Sequence, residues 1–156
     1  MSQVASRSVE QNMPRPAPKT KKKLLIMGSS NTKSLASMVK SHSIDTLGMC
    51  YSSGKIENIK DRLPNIVSAR ESSPDYVVIH CGDINVPSSE PVPSITRKID
   101  ALIECAKTTF PQTKILLSGL AFSRDGNINS KIDMVNRYTR RRCSMSPNLV
   151  DRKSVV

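Results

Sequence analysis

Aromatic residues are scarce in this chain: they make up 3% of its 156 residues, and tryptophan is absent. A core without large rings has to be filled mainly by Ile, Leu, Val and Met. Apolar residues reach 37% of the chain, which supports only a modest core. The length is enough for one domain with a core of its own and too short for two.

Metal-binding and nucleotide-binding patterns are also missing. The four cysteines are widely spaced without a C-x-x-C pair, and the chain has only two histidines, His42 and His80. A single glycine after a strand, such as Gly28 or Gly82, falls far short of a dinucleotide or Walker fingerprint. We therefore expect no metal and no cofactor.

Long hydrophobic runs are absent as well. The run Leu24–Met27 is far shorter than the roughly 20 residues that cross a bilayer. The N-terminus is charged and proline-rich where a signal peptide needs an apolar stretch. The sequence therefore predicts no membrane span, reduced thiols, and a cytoplasmic or nuclear protein that is not secreted.

Positive charge is present in excess, with 24 Lys and Arg against 13 Asp and Glu and a net charge of +11. Two basic clusters stand out, one before the first apolar run and one late in the chain. They contain Lys19, Lys21, Lys22 and Lys23, and Arg140, Arg141 and Arg142. Such clusters favour non-specific nucleic acid as a partner, although a solvated charge run that keeps the domain soluble explains them equally well.

The chain divides near residue 21. Residues 1–21 are rich in Pro, Ser and Lys without a periodic apolar pattern, which predicts a disordered leader. From residue 22 to 156, short apolar runs alternate with segments of helical period, which is typical of βαβ units around a parallel sheet. The expected strands cover 23–27, 45–49, 76–79 and 114–117, with a further one beginning at 148–150. The expected helices cover 32–39, 56–67, 95–106 and 129–142, and Pro64 should kink or split the second. The predicted fold is a three-layer α/β/α domain with a flavodoxin-like parallel sheet of about four to five strands.

Sites in such sheets lie at the carboxyl ends of the strands, so the turns Gly28–Asn31 and Cys81–Asn85 matter most. Ser30 follows a strand and begins a helix, a place where a hydroxyl is exposed and backbone N–H groups can face a developing oxyanion. The alternative is that Ser30 or Asn31 merely caps the helix, as these residue types commonly do.

Three sequence blocks suggest a family. They are LLIMGSS at residues 24–30, YSSGKI at 51–56 and VVIHCGDIN at 77–85. In order and spacing they resemble the blocks of the SGNH (GDSL-type) hydrolases, across residues 22–151. The resemblance extends to SGNH-type domains that occur as free proteins and within animal retrotransposon polyproteins.

The resemblance implies a fold and a set of roles. Ser30 would be the nucleophile for a small acyl-ester substrate, and its backbone N–H would join that of Gly54 in an oxyanion hole. Gly54 is equally well explained as a turn glycine. Ile84 stands where the family has an oxyanion-binding asparagine, and Asn85 could replace that residue only through a one-residue shift.

Two departures weaken the catalytic interpretation. Ser29 replaces the family's usual aspartate, and no histidine follows His80, whereas the family takes its base from an Asp-x-x-His segment after the last strand. His80 is the imidazole nearest to the proposed site, and the alternative is that its side chain points into the packing of the sheet. We therefore expect an SGNH-like domain that is inactive or crippled, either because the chain is truncated or because its lineage lost catalysis.

Two further expectations follow. A missing final strand and helix would expose a sheet edge and favour self-association. The alternative function is a nucleic-acid-binding module on the same scaffold, of retroelement origin.

Overall fold

Five parallel strands form the centre of the domain. The computed structural model describes residues 14–39, 41–52, 54–68 and 72–152. The strands are β1 Lys22–Gly28, β2 Ile44–Cys50, β3 Tyr76–His80, β4 Lys114–Ser118 and β5 Leu149–Arg152. Their order in the sheet is β2-β1-β3-β4-β5, the doubly wound order of flavodoxin-like folds, in which the chain changes direction between β1 and β3.

The central strands are buried because helices and turns cover them. In β1 the four consecutive residues Leu24–Met27 are all buried, which is why they form an unbroken apolar run rather than an alternating one. Four helices connect the strands. They are α1 Leu35–Met38, α2 Ile56–Ser68, α3 Val92–Thr109 and α4 Asn129–Ser144.

Three of the helices share one face of the sheet. The main core joins apolar residues of α2, α3 and α4 to strand residues such as Leu25, Val77 and Ile115. Between α3 and α4, Asp100 accepts hydrogen bonds from the Tyr138 hydroxyl and, at 2.7 Å, from Arg142 Nε. An arginine of the late basic cluster is therefore part of the helix packing.

The short helix α1 lies on the opposite face. Gly48 in β2 is paired with Ile26 of β1, and a Cβ atom added at Gly48 would lie 2.6 Å from Ala36 Cβ. Glycine at this position lets α1 pack directly onto the sheet. The two covered faces make the three-layer α/β/α architecture, and the prediction of a parallel sheet of four to five strands is confirmed.

Pro64 does not split its helix into two elements, one of the two outcomes expected from the sequence, since α2 runs continuously from Ile56 to Ser68. A proline at this position cannot donate to the Lys60 carbonyl one turn earlier. The Cys105 thiol on α3 lies 3.7 Å from that carbonyl oxygen and donates to it instead. A hydrogen bond from a neighbouring helix thus partly replaces the backbone hydrogen bond that the proline cannot make.

Other elements differ modestly in their bounds from those predicted from the sequence. The helix expected over 32–39 is a 3-10 turn, Ser30–Thr32, followed by α1. The expected leader, residues 1–21, falls outside the described part up to residue 13, and residues 14–21 carry neither helix nor strand. Within the described residues, no helix combines the length and apolar character needed to cross a membrane.

Candidate active site

Four connections meet at the carboxyl edge of the sheet, because the carboxyl ends of parallel strands share one edge. They are the turn after β1, the turn after β2, and the loops after β3 and β4. The candidate catalytic residues Ser30, Gly54, His80 and Asn85 lie at this edge, whereas His42 does not. It precedes the amino end of β2, and the seven residues of that strand separate it from the edge by roughly 20 Å, at about 3.3 Å per residue.

Ser30 begins the 3-10 turn after β1, and its side chain is exposed. Thr32 stabilises the turn through its hydroxyl, which donates to the Ser29 carbonyl at 2.8 Å. Neither Ser30 nor Asn31 caps a helix, since the N-cap positions are Ser29 and Ser34 and neither makes a side-chain cap bond. In the described residues, the Ser30 hydroxyl has no hydrogen-bond partner, so no base is bonded to it.

Gly28 allows the turn to lie against β3. A Cβ atom at this position would lie 2.4 Å from the His80 carbonyl oxygen and 2.5 Å from Thr32 Cγ2. The Ser29 N–H donates to the same His80 carbonyl at 3.3 Å. The close approach places the Ser30 turn beside the loop after β3.

Asp83 joins the turn after β1 to the loop after β3. Its Oδ2 accepts hydrogen bonds from Ser29 Oγ and from Asn31 Nδ2, both at 2.6 Å. Its Oδ1 is buried without a hydrogen-bond partner among the described residues. Ser29 stands where the resemblance implies an aspartate, and the carboxylate of this turn is supplied from Asp83 instead.

Gly54 is adjacent to the Ser30 turn, because a Cβ atom on it would lie 3.2 Å from Ser29 Cα. Its N–H, however, donates to the Tyr51 carbonyl at 3.1 Å. The hydrogen bond closes the turn after β2, as expected of a turn glycine. An oxyanion would have to compete with that bond.

Asn85 is buried and its side-chain amide is fully engaged away from Ser30. Its Oδ1 accepts from the Ile56 N–H at 3.0 Å, and its Nδ2 donates to Glu57 at 3.1 Å and to Glu90 at 3.3 Å. A side chain from another loop thus satisfies a free N–H at the start of α2. The structure therefore gives Asn85 partners other than an oxyanion.

The two glutamates beside Asn85 share one cation. Lys98 Nζ lies 3.0 Å from Glu57 and 2.7 Å from Glu90. Hydrogen bonds from Lys98 and Ser94 lower the pKa of Glu90 to about 2. The network connects α2, α3 and the loop after β3 below the candidate site.

His80 ends β3 next to Gly28, its partner in the sheet. Its ring is half-buried, and Nδ1 lies 3.2 Å from Ser118 Oγ at the end of β4. Burial lowers the pKa of His80, and the negative charge of Asp83 opposes that effect. The neighbouring Cys81 is not a nucleophile at neutral pH, since burial raises the pKa of its thiol to about 12.

A cleft of 540 Å³ opens at this edge. Its polar wall includes Asn31, His80, Asp83 and Ser118, and its other walls are mainly apolar. The volume lies within the range of small-molecule sites, about 300–1,000 Å³. Groups of three or more His, Cys, Asp or Glu side chains arranged to hold a metal ion do not occur in the described segments.

Sequence reasoning missed Asp83 and Ser118. Asp83 stands inside the third block, but the resemblance implies a role only for the positions of Ile84 and Asn85 beside it. Ser118 belongs to no block, and only the pairing of β3 with β4 places it beside His80. The available signal was positional, because both residues occur at or just after the end of a buried strand.

No family model and no curated protein matches this chain. Solved structures do match it in fold. A member of the lipolytic protein G-D-S-L family from Veillonella parvula DSM 2008 aligns with a TM-score of 0.69 at 11% identity, over 83% of this chain and 75% of that chain. The chain has the fold of the SGNH hydrolases.

Two esterases show the same likeness. AlinE4, an SGNH-hydrolase family esterase, gives a TM-score of 0.64 at 13% identity, over 78% of this chain and 72% of its own. The psychrotrophic esterase EstA from Pseudoalteromonas sp. gives 0.59 at 15% identity, over 85% and 78%. At these identities the similarity establishes the SGNH-like fold alone.

Proposed function

We propose that this domain is an SGNH-type ester-hydrolase-like scaffold for small acyl esters in which Ser30 is not an activated nucleophile, so that hydrolysis through Ser30 is lost or crippled. The main supporting observation concerns the hydrogen bonding and exposure of the Ser30 hydroxyl. The hydroxyl is exposed and is bonded to no described residue. Serine at neutral pH needs a positioned base to become nucleophilic.

Neither imidazole of the chain is hydrogen-bonded to the Ser30 hydroxyl in the described structure. His80 is bonded through Nδ1 to Ser118, and His42 precedes β2 at the opposite edge of the sheet. The oxyanion-binding groups are also weakened, since the Gly54 N–H is bonded to Tyr51 and the Asn85 amide to Glu57 and Glu90. Losing one donor of this kind costs about 2.7–4 kcal/mol of transition-state stabilisation.

Two features support an acyl ester as the ligand. The Ser30 turn follows β1, where the resemblance to the SGNH sequence blocks implies the nucleophile, and the Ser30 N–H is bonded to no residue in the part of the chain that the structure describes. The neighbouring cleft combines a polar end with apolar walls. A short acyl chain and an ester carbonyl match that combination.

The experiment compares the wild-type chain with Ser30→Ala on p-nitrophenyl acetate and butyrate. We expect rates close to those without protein and little change on substitution, whereas loss of the serine in a working triad costs on the order of 10⁶-fold. Ser37→Ala, at an exposed serine of α1, is the matched control. A fast rate abolished by Ser30→Ala and kept by Ser37→Ala would contradict the proposal.

The second candidate function is non-specific binding of nucleic acid. It is favoured by the net charge of +11 and by the exposure of Lys19, Lys21 and Arg141. Two other members of the basic clusters already face carboxylates: Lys22 lies 4.0 Å from Asp75, and Arg142 lies 2.7 Å from Asp100. Binding would therefore depend on a subset of the clustered cations.

A further inference from the structure

His80 and Ser118 form a hydrogen-bonded pair at the ends of neighbouring strands. The Nδ1–Oγ distance is 3.2 Å, both side chains are half-buried, and both line the cleft. The Ser118 hydroxyl also lies 3.3 Å from the Gly119 carbonyl oxygen and donates to it. With its one proton directed to Gly119, the hydroxyl oxygen is free to accept a hydrogen bond from the Nδ1–H of His80.

This arrangement corresponds to the tautomer of His80 that carries its proton on Nδ1. A neutral imidazole with its proton on Nδ1 has a free lone pair on Nε2. His80 Nε2 makes no hydrogen bond to any residue of the described segments, and it is not among the polar atoms buried without a partner. The free nitrogen is therefore open to a molecule in the cleft.

The environment of His80 favours a neutral imidazole, the form that can accept a proton. Burial favours the uncharged ring, so its pKa lies below the ordinary value of 6.5 and the ring is neutral at pH 7. Asp83, on the loop after β3, is the charged group that acts on His80, and it favours the imidazolium that forms when the ring takes up a proton. Ser118, from β4, carries no charge.

We propose that the cleft is an ester-hydrolysing site in which His80 Nε2 acts as the general base for a water molecule and Ser118 positions the ring. The substrate class is the ester of a short acyl chain, with the chain against apolar side chains such as Leu35, Leu120 and Ile132. The proposal rests on the proposed function for its substrate. It does not require Ser30 to act as a nucleophile.

The step balances without a cofactor. Water oxygen bonds to the ester carbonyl carbon while Nε2 takes the water proton. The tetrahedral intermediate then collapses, the bond from carbon to the alcohol oxygen breaks, and the imidazolium returns its proton to the departing alkoxide. The products are a carboxylic acid and an alcohol, and His80 is neutral again.

The test measures the slow hydrolysis of p-nitrophenyl acetate and butyrate from pH 5 to 8.5 in the full chain and its variants. We expect a rate above that of buffer. It should decrease as the pH is lowered through a pKa below 6.5, because protonated His80 cannot accept a proton. His80→Gln should reduce it to the buffer rate. His42→Gln, which removes the other imidazole, is the matched control and should leave it unchanged.

Ser118 is tested as a positioning residue. Ser118→Ala should lower the rate by about 2- to 12-fold, the equivalent of one lost hydrogen bond, and Ser118→Thr should restore it by restoring the hydroxyl. Imidazole nitrogen NMR on the wild type should show the proton on Nδ1 of His80, and Ser118→Ala should move the population towards Nε2–H. The NMR measurement reports directly on whether each variant is folded.

The results of these experiments distinguish the role of His80 from the proposed function of the domain. A rate unchanged by His80→Gln, a proton on Nε2 in the wild type, or no rate above buffer overturns the role of His80 and leaves the proposed function standing. A fast rate that disappears with Ser30→Ala contradicts the proposed function itself.

Discussion

Asp83 shows how one side chain organises the candidate site. It accepts hydrogen bonds from both Ser29 and Asn31 at 2.6 Å and so fixes the turn that presents Ser30. An aspartate at position 29, as in the family pattern, would bring a second carboxylate to the same place. The serine at position 29 is thus consistent with the aspartate at position 83.

Glu90 gives a prediction at the residue scale. Hydrogen bonds from Lys98 and Ser94 lower its pKa from the ordinary 4.5 to about 2 in the folded chain. Because the folded pKa is the lower one, unfolding takes up a proton between these pH values. The stability that this carboxylate contributes is present above about pH 4.5 and is lost as the pH falls towards 2.

Replacing Glu90 by Gln should therefore lower the free energy of unfolding at pH 7 and flatten its decline between pH 4.5 and 2. Urea unfolding followed by circular dichroism over this range measures both effects. Asp61→Asn, at a side chain that is 70% exposed, serves as the control. Curves for Glu90→Gln and wild type that run parallel with pH would contradict the assignment.

At the scale of elements, the buried strands were the most predictable part. β1, β3 and β4 appear as short apolar runs because helices and turns cover them, and their predicted bounds differ from the structure by one residue at each end or less. Helix α3 extends three residues beyond the predicted segment in both directions. Periodicity marks only the repeating buried positions of a helix, so the first and last turns, which lie outside that repeat, escape detection.

The site was less predictable because its contacts join distant segments. Asn85 satisfies the N–H of Ile56, which lies 29 positions away, and His80 meets Ser118 38 positions away. The Cys105 thiol reaches the carbonyl freed by Pro64 from another helix. Strand order and register decide such pairs, and neither can be read from local spacing.

At the scale of the whole molecule, the net charge of +11 leads to a prediction about nucleic acid. If three or four phosphates are neutralised, the affinity for single strands should fall with log salt at a slope of about −2 to −3. With 3% aromatic residues, little base stacking is available, so different base sequences should bind alike. Fluorescence anisotropy with labelled oligonucleotides at several salt concentrations measures this slope.

A matched pair of variants tests where the cations act. Replacing the four clustered lysines with Gln should weaken binding and flatten the slope, whereas replacing four dispersed lysines should have a smaller effect at the same net charge. The first variant changes Lys19, Lys21, Lys22 and Lys23, and the second changes Lys55, Lys60, Lys107 and Lys114. Equal losses in both, no binding at about 50 mM salt, or a strong base preference would exclude the clustered site.

The most direct test of the central claim asks whether Ser30 is an activated nucleophile. The chain is incubated with a fluorophosphonate under conditions that fully label a working serine esterase, and the adduct is quantified by intact-mass and peptide mass spectrometry. Because no base is bonded to the Ser30 hydroxyl in the described structure, we predict no measurable adduct on Ser30. Rapid, stoichiometric labelling of Ser30, absent in Ser30→Ala, would contradict the account.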